Sequence, residues 1–541
     1  MGRLTGEVFG LAMEGDGYRT GDGDLLQKVP YGKTWRGSAF ACDDATLRSV
    51  FRSAAKAGIR GQALGTRDRG IRSIELEEGK RHKVKFFNSR SWGVNAHEPD
   101  LLQRELRECR GWCDQTETYW RPTAASWMMA VYKKNYMQLE NGKKISQLPP
   151  LFRPLSIRGY QGGPILHAKA QAKPAKAWDK KRAYTHAMMR PLPTGRPIRS
   201  VHRDWARLRR QLCMVDATVE VSSGLDLPPL PVRLQKDRTL IYPVGSFRGV
   251  WTSVDLRGME ERGDGVVVRV HDAVVFPAGA VLEPFMGRLG EWEDQGFRWA
   301  KFAANSFGGK WAQHHREKAY IGYSAQEIRE KQTDKKGRTT PYRLEKDDYG
   351  IVWVIQKEDL FGRRDPIYRP ERTAFIVARN RSSVFDSIRR CDPGSVSYVH
   401  IDCMWTSDVL TEPGPAWRLE GSFSRTRHFA PGVYVEVGED GRVGHSGMAG
   451  EPTAHQVQSR MGSLANTVAH ASSLSVRRWT ADPAIDPTAV SVPWEASDFQ
   501  LPRHVERKVP RVDLWGDEWT RGGYPVQGSP YSSPDWAPST C

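Results

Sequence analysis

Two isolated aspartates and one cationic stretch are the parts of this sequence whose residue types and spacing could do chemistry. In "SVSYVHIDCMWTSDV", Asp402 sits among β-branched and aromatic residues that read as a buried strand or hairpin. A carboxylate there is costly unless it is paired or binds a cation. It could equally be a carboxylate at a hairpin turn. In "AKAWDKKRAYTHAMM", Asp179 runs into a Lys-Lys-Arg series and then Tyr184. A strand-end carboxylate followed by backbone amides could hold a metal while the amides touch phosphate, or the same aspartate could cap a helix. In "KFAANSFGGKW" and the turn before it, Arg298, Lys301 and Asn305 fall at i, i+3 and i+7. One helical face then presents two cations and an amide, and Gly308 and Gly309 end the helix or let another group approach closely. Two fixed cations suit a triphosphate, and a solvated basic face is the plain alternative.

The elements that must position these residues follow from pattern and punctuation. Over 1–150, "SIELEEG" and "HKVKFF" read as strands and "EPDLLQRELRECRGW" as a helix, an α/β pattern. The Pro- and Gly-rich "QLPPLFRPLSIRGYQGGP" marks a boundary. The stretch from "ATVEVSSGLDL" to "GVWTSVDL" reads as all β, helices are predicted at about 278–312 and 371–391, and "REKQTDKKGRTTPYRLEKDD" between them reads as an exposed charged hairpin. The end from about 514 has the Pro, Gly and Ser content of a disordered tail.

Composition narrows the partner. A chain of 541 residues with 81 Lys plus Arg against 63 Asp plus Glu carries +18, which favours a polyanion such as nucleic acid. The mean hydropathy is −0.59 and no run of eighteen apolar residues occurs, so no membrane partner and a soluble, cytoplasmic protein without a leader are expected. The seven cysteines are scattered and odd in number, unlike a disulfide framework. "CRGWC" at Cys109 and Cys113 could be half a zinc site, but no second half has ligand spacing.

In their order along the chain these stretches resemble the motifs of family B DNA polymerases, protein-primed phage type. "DKKRAY" is similar to DxxSLYP, "KFAANSFGG" to KxxxNSxYG and "YVHIDCMW" to YxDTDS. "YQGG" at 160–163 is similar to the YxGG signature that precedes the first motif in the protein-primed branch. The resemblance covers about residues 150–450 and implies an α+β right-hand polymerase fold with palm, fingers and thumb, behind an exonuclease-like (ribonuclease H-like) α/β domain.

It implies the following roles. Asp179 and Asp402 are the catalytic carboxylates and hold two Mg²⁺ or Mn²⁺ ions, which lower the pKa of the primer 3′-hydroxyl and stabilise the pyrophosphate. Lys301, helped by Arg298, neutralises the nucleotide phosphates. Tyr184 lies beneath the sugar and selects deoxynucleotides, with Asn305 and Ser306 lining the nascent base pair. Tyr160, Gly162 and Gly163 contact template, and Tyr434 falls where a KxY element grips primer. The departures are His400 for the first Asp of DTD, Gly308 for the fingers tyrosine, Arg182 and Thr185 for Ser and Pro, and Gly432 for the KxY lysine.

The implied partners are template and primer DNA, dNTPs and a terminal protein primer, engaged by a monomer. A further expectation concerns proofreading. The exonuclease DxE would fall in "FGLAMEGDG", where Ala12 takes the first position and only Glu14 remains; Asp100 is a candidate for the last carboxylate. The 3′-5′ exonuclease is therefore expected to be lost. The expected division is a degenerate exonuclease-like domain at 1–150, YxGG linker and start of palm at 151–194, a β-rich terminal-protein region and palm at 195–277, fingers at 278–312, a charged insertion at 313–370, palm at 371–412, thumb at 413–513 and the tail at 514–541. A catalytically inactive polymerase fold that binds DNA or a terminal protein as a scaffold is the alternative.

Overall fold

The computed structural model describes residues 8–14, 17–20, 22–30, 39–57, 59–66, 70–78, 82–89, 99–118, 121, 123–137, 148–167, 173–233, 240–295, 298–312, 317–321, 342–346, 352–357, 368–407, 413–430, 433–438, 443–446 and 499–500. They fall into two units, residues 1–145 with 284–368, and residues 146–283 with 369–541.

In the first unit, the strand Val8–Glu14 pairs antiparallel with Gly17–Thr20 and parallel with Ala39–Cys42, which pairs parallel with His82–Asn88. Parallel neighbours need a crossover, and the helix Asp44–Lys56 follows the second of these strands. Leu47, Val50, Phe51 and Ala54 recur at helical spacing along it and are buried with Phe40, Ile74, Leu76 and Phe86. Each large apolar side chain buried this way contributes about 1.5–3 kcal/mol. Gly70–Glu78 and Arg60–Thr66 extend the sheet antiparallel.

The charged segment belongs to this same sheet. Glu317–Ile321 pairs with Arg60–Thr66, Val352–Lys357 pairs with Glu317–Ile321, and Tyr342–Lys346 pairs with Val352–Lys357, all antiparallel. Of the stretch predicted as an exposed hairpin, 329–348, the described residues are Tyr342–Lys346, and 329–341 and 347–348 lie outside the described residues.

Two further helices of this unit are joined by rings. Tyr132 of Ala124–Asn135 lies 5.7 Å from Phe307 and 5.6 Å from Trp311, and Phe285 lies 5.1 Å from Phe307. Cys113 is buried in Pro99–Gln115, and burial pushes its thiol up to about 12, so it stays protonated. Among the described residues no metal-binding group includes it.

The second unit holds two larger antiparallel sheets, two two-stranded ones and a long helix. The five-stranded sheet runs Ile198–Arg199, Gly265–Phe276, Leu212–Val221, Val244–Thr252 and Phe499–Gln500. The β reading fails at one place, where "SVDLRGMEE" forms the helix Ser253–Glu261. Thr252 accepts from the Asp255 amide and the Asp255 carboxylate accepts in return from the Thr252 amide, a capping box that outweighs the β-branched composition.

The second sheet runs Val443–Ser446, Val433–Gly438, Trp417–Ala430, Lys173–Lys180, Cys403–Ser407, Val396–His400 and Ile165–His167. Val384 and Phe385 of the helix Pro370–Ile388 pack with Leu166, Trp178, Val399 and Met404 from this sheet. Among the described residues no helix is long and apolar enough to cross a membrane. Gly432 and the tail at 514–541 lie outside the described residues.

Candidate active site

Register brings the chemistry-bearing residues of the second unit together. His400 stands opposite Ile165 on one side and Cys403 on the other, Cys403 opposite Asp179, and Asp179 opposite Arg418. Directly opposed residues of antiparallel strands point to the same face, so Ile165, His400, Cys403, Asp179 and Arg418 form one row across five strands. The alternating residues Leu166, Trp178, Val399 and Met404 face the long helix instead. Alongside the row on the same face, two residues along the strands from His400 and Cys403, lie the rings of Tyr398 and Trp405 with that of Tyr434 against them, centroids 5.0–5.6 Å apart.

Asp402 is not in a strand. It is the second residue of the two-residue turn between Val396–His400 and Cys403–Ser407. The turn is fixed from both sides: the Ile401 amide donates to the Pro164 carbonyl at 2.6 Å and the Lys180 amide to the Asp402 carbonyl at 2.9 Å. Ile401 has φ +63, a left-handed conformation costly for a β-branched residue. The turn reading and the cation reading of Asp402 are therefore compatible. The capping reading of Asp179 is not met, because the following helix Ala183–Met189 has Arg182 as its N-cap, with no side-chain cap bond.

One ligand atom each from Asp179, Asp402 and Cys403 lie within 4.8 Å of one another. The Cys403 thiol donates to Asp179 Oδ1 at 3.5 Å, and Arg418 Nη2 lies 3.9 Å from Asp179 Oδ2. Two carboxylates this close fit a hard divalent cation such as Mg²⁺ or Mn²⁺, and the thiol adds a softer donor. His400 is buried in the same row but is not one of these three. Burial lowers Lys180 to about 8, against the opposing pull of the Asp402 charge. Burial raises the Tyr184 hydroxyl well above its ordinary value, and the Asp402 charge adds to that, so Tyr184 is a neutral phenol.

The YQGG segment supports the turn. The Arg381 guanidinium, 1% exposed, donates to the Gly162 carbonyl and to Asp255 Oδ1 at 2.9 Å. The Tyr242 hydroxyl donates to the Gly163 carbonyl at 3.3 Å. A Cβ at Gly163 would stand 3.0 Å from Ile401 Cγ2, so the close approach this glycine permits includes the turn that carries Asp402. Gly163→Ala is expected to shift that turn and slow the chemistry about tenfold, less than the roughly hundredfold cost of a 1 Å misplacement. The check is single-turnover rate beside thermal unfolding; a rate unchanged within twofold would detach the glycine from the site.

The other predicted residues are placed as follows. Tyr160 is half-buried beside the YQGG glycines, and Tyr184 lies in the first turn of Ala183–Met189. Tyr434 is 3% exposed, its ring packed against Trp405 and Tyr398 on the same face as the row. In the first unit, Arg298 begins the helix Arg298–Lys310, Lys301 is exposed, and Asn305 and Ser306 are half-buried. The helix does not stop at Gly308 and Gly309. It runs through both to Lys310, because Phe307 and Trp311 anchor its last turn among the aromatic rings. Glu14 ends its strand with its carboxylate 2.9 Å from Arg19, Ala12 lies two residues before it, and Asp100 is in Pro99–Gln115. Among the described residues Glu14 joins no cluster of potential metal ligands.

Sequence reasoning did not single out Cys403, Arg418 or Arg381. Cys403 follows Asp402 directly and was visible as the residue at the motif's serine position. Arg418 carries no local signal, since only strand register sets it opposite Asp179.

The family described as DNA polymerase type B, organellar and viral, matches residues 114–360, a span that holds Asp179 and the helix Arg298–Lys310 and ends before Asp402. No curated protein matches. Among solved structures, phi29 DNA polymerase in an orthorhombic crystal form is 15% identical with a TM-score of 0.55, covering 79% of this chain and 85% of that chain. Phi29 DNA polymerase complexed with primer-template DNA and incoming nucleotide substrates is 14% identical with a TM-score of 0.55, covering 84% and 90%. The binary complex with primer-template DNA is 14% identical with a TM-score of 0.55, covering 81% and 88%. The fold is thus α+β, that of a right-hand polymerase with an exonuclease domain.

Proposed function

We propose that the chain is a type B, DNA-directed DNA polymerase that replicates phage-type DNA by adding dNTPs to a 3′-hydroxyl at Asp179 and Asp402, starting from a terminal protein. The observation that carries the placement is the approach of those two carboxylates, from a strand end and a hairpin turn, to within 4.8 Å of each other and of Cys403.

Two divalent cations bound by Asp179 and Asp402 would supply Lewis-acid chemistry, activating the 3′-hydroxyl and balancing charge on the leaving pyrophosphate. The chain's own residues do the rest. Lys301, with Arg298, offers positive charge to the triphosphate, and Asn305 and Ser306 line the base pair. Tyr184, neutral and buried, presents a ring that leaves no room for a 2′-hydroxyl. Tyr160, Gly162 and Gly163 guide template, with the glycine carbonyls held from behind by Arg381 and Tyr242. Template-primer DNA and nucleotides, which phi29 polymerase binds in its complexes, are the partners proposed here, with the reaction in the cytoplasm and the chain acting as a monomer.

Proofreading is proposed to be absent, because Ala12 removes one carboxylate and Arg19 occupies Glu14. Labelled primer-template with dNTPs and Mg²⁺ or Mn²⁺ should give an extension ladder, and labelled single-stranded DNA without dNTPs should stay full length. Shortening of that strand that disappears in Glu14→Ala would restore an exonuclease to the first unit. An initiation product on a terminal protein, seen as label transferred from dNTP to protein, tests the priming mode.

A further inference from the structure

We propose that Cys403 is a metal ligand of the polymerase centre, so that the site holds a divalent cation through two carboxylates and a thiolate and prefers softer ions than Mg²⁺. This rests on the reading of Asp179 and Asp402 as the nucleotidyl-transfer site. Three observations carry it. Cys403 stands directly opposite Asp179 in the ladder, which obliges both side chains to share a face. Its sulfur lies 3.5 Å from Asp179 Oδ1 and belongs, with Asp402, to the group of ligand atoms within 4.8 Å. And Cys403 occupies the position of the serine in YxDTDS, so this chain puts sulfur where the motif has a hydroxyl.

The chemistry follows from the donor set. Carboxylate and hydroxyl oxygens suit Mg²⁺, whereas thiolate raises affinity for Mn²⁺ and, more strongly, for Zn²⁺ or Cd²⁺. On binding, the S–metal bond replaces the S–H bond, and the proton now directed at Asp179 passes to solvent. Asp179 is then released from its thiol hydrogen bond and offers that oxygen to the cation.

The test is titration of metal-free, full-length protein with Cd²⁺, read by the sulfur-to-cadmium charge-transfer absorption. Wild type should show a saturable band that Mn²⁺ displaces at lower concentration than Mg²⁺. Cys403→Ser should lose that component and bind Cd²⁺ about tenfold more weakly, the low end of what losing a metal-site partner costs. Its primer extension should shift towards Mg²⁺, the Mn²⁺-to-Mg²⁺ rate ratio falling about tenfold. Cys403→Ala, read the same way, covers the case in which the serine variant does not fold. An identical band in wild type and both variants, or no band in wild type, overturns the proposal. Primer extension that depends on Asp402 with no Cys403-dependent band sinks the thiolate and leaves the polymerase reading standing. A Cys403-dependent band without extension does the reverse.

Discussion

Asp402→Asn is expected to lower single-turnover primer extension by about a thousandfold or more, roughly 4 kcal/mol of transition-state stabilisation. Asparagine keeps the shape of the side chain and the turn keeps its two backbone bonds, from Ile401 to Pro164 and from Lys180 to Asp402. What is lost is charge at the point where the proposed cations sit. Stability should hardly suffer, because Asp402 is half-exposed in its turn and a neutral amide in its place would no longer repel Asp179. DNA binding should persist with its steep salt dependence, since it draws on a chain of net charge +18. Asp179→Asn should cost about as much, and the double variant little more than either, because residues acting as one unit are not additive. Extension within tenfold of wild type in Asp402→Asn would move the chemistry away from this hairpin and revive the scaffold reading, with His400 as its motive.

How much of this was legible in the sequence differs from residue to residue. The hairpin around Asp402 was, because "SVSYVHIDCMW" is dense in β-branched and aromatic residues and the turn takes the single acidic residue. The helix Arg298–Lys310 was legible in its face but not in its end. Gly308 and Gly309 read locally as a stop, and what overrides them is ring packing by Phe307 and Trp311 against Tyr132 and Phe285, which no local pattern encodes. The helix Ser253–Glu261 was hidden by its β-rich neighbours, although the Thr252 to Asp255 capping signature was there to be read. The joining of Glu317–Ile321 to Arg60–Thr66 was not legible at all, since a strand added at a distant edge is specified by backbone pairing and carries no motif. For the site itself, the motifs marked Asp179 and Asp402 as a pair, while the register that adds Cys403 and Arg418 exists only once the strands are aligned.

Arg381→Met should unfold the second unit more easily by about 3–5 kcal/mol, the cost of stranding one partner of a buried ion pair. Arg381 is 1% exposed and Asp255 3%, so the aspartate left behind keeps its charge in a place water barely reaches. It would retain its hydrogen bonds from the Thr252 amide and hydroxyl, which is why the loss should not exceed that range. The Gly162 carbonyl would lose its guanidinium donor as well, and with it the rear support of the loop that contacts the Asp402 turn. Activity should therefore fall along with stability, whereas Asp255→Asn, which leaves Arg381 on Gly162, should cost stability with a smaller loss of rate. Urea unfolding of the two single variants and the double variant separates these effects. A double variant more stable than Arg381→Met alone marks the stranded aspartate as the source of the cost. A loss under about 1 kcal/mol in Arg381→Met would mean that the pair barely breaks even against an apolar side chain of similar size, and the loop would then owe its position to Tyr242 and the packing of Gly163 on Ile401.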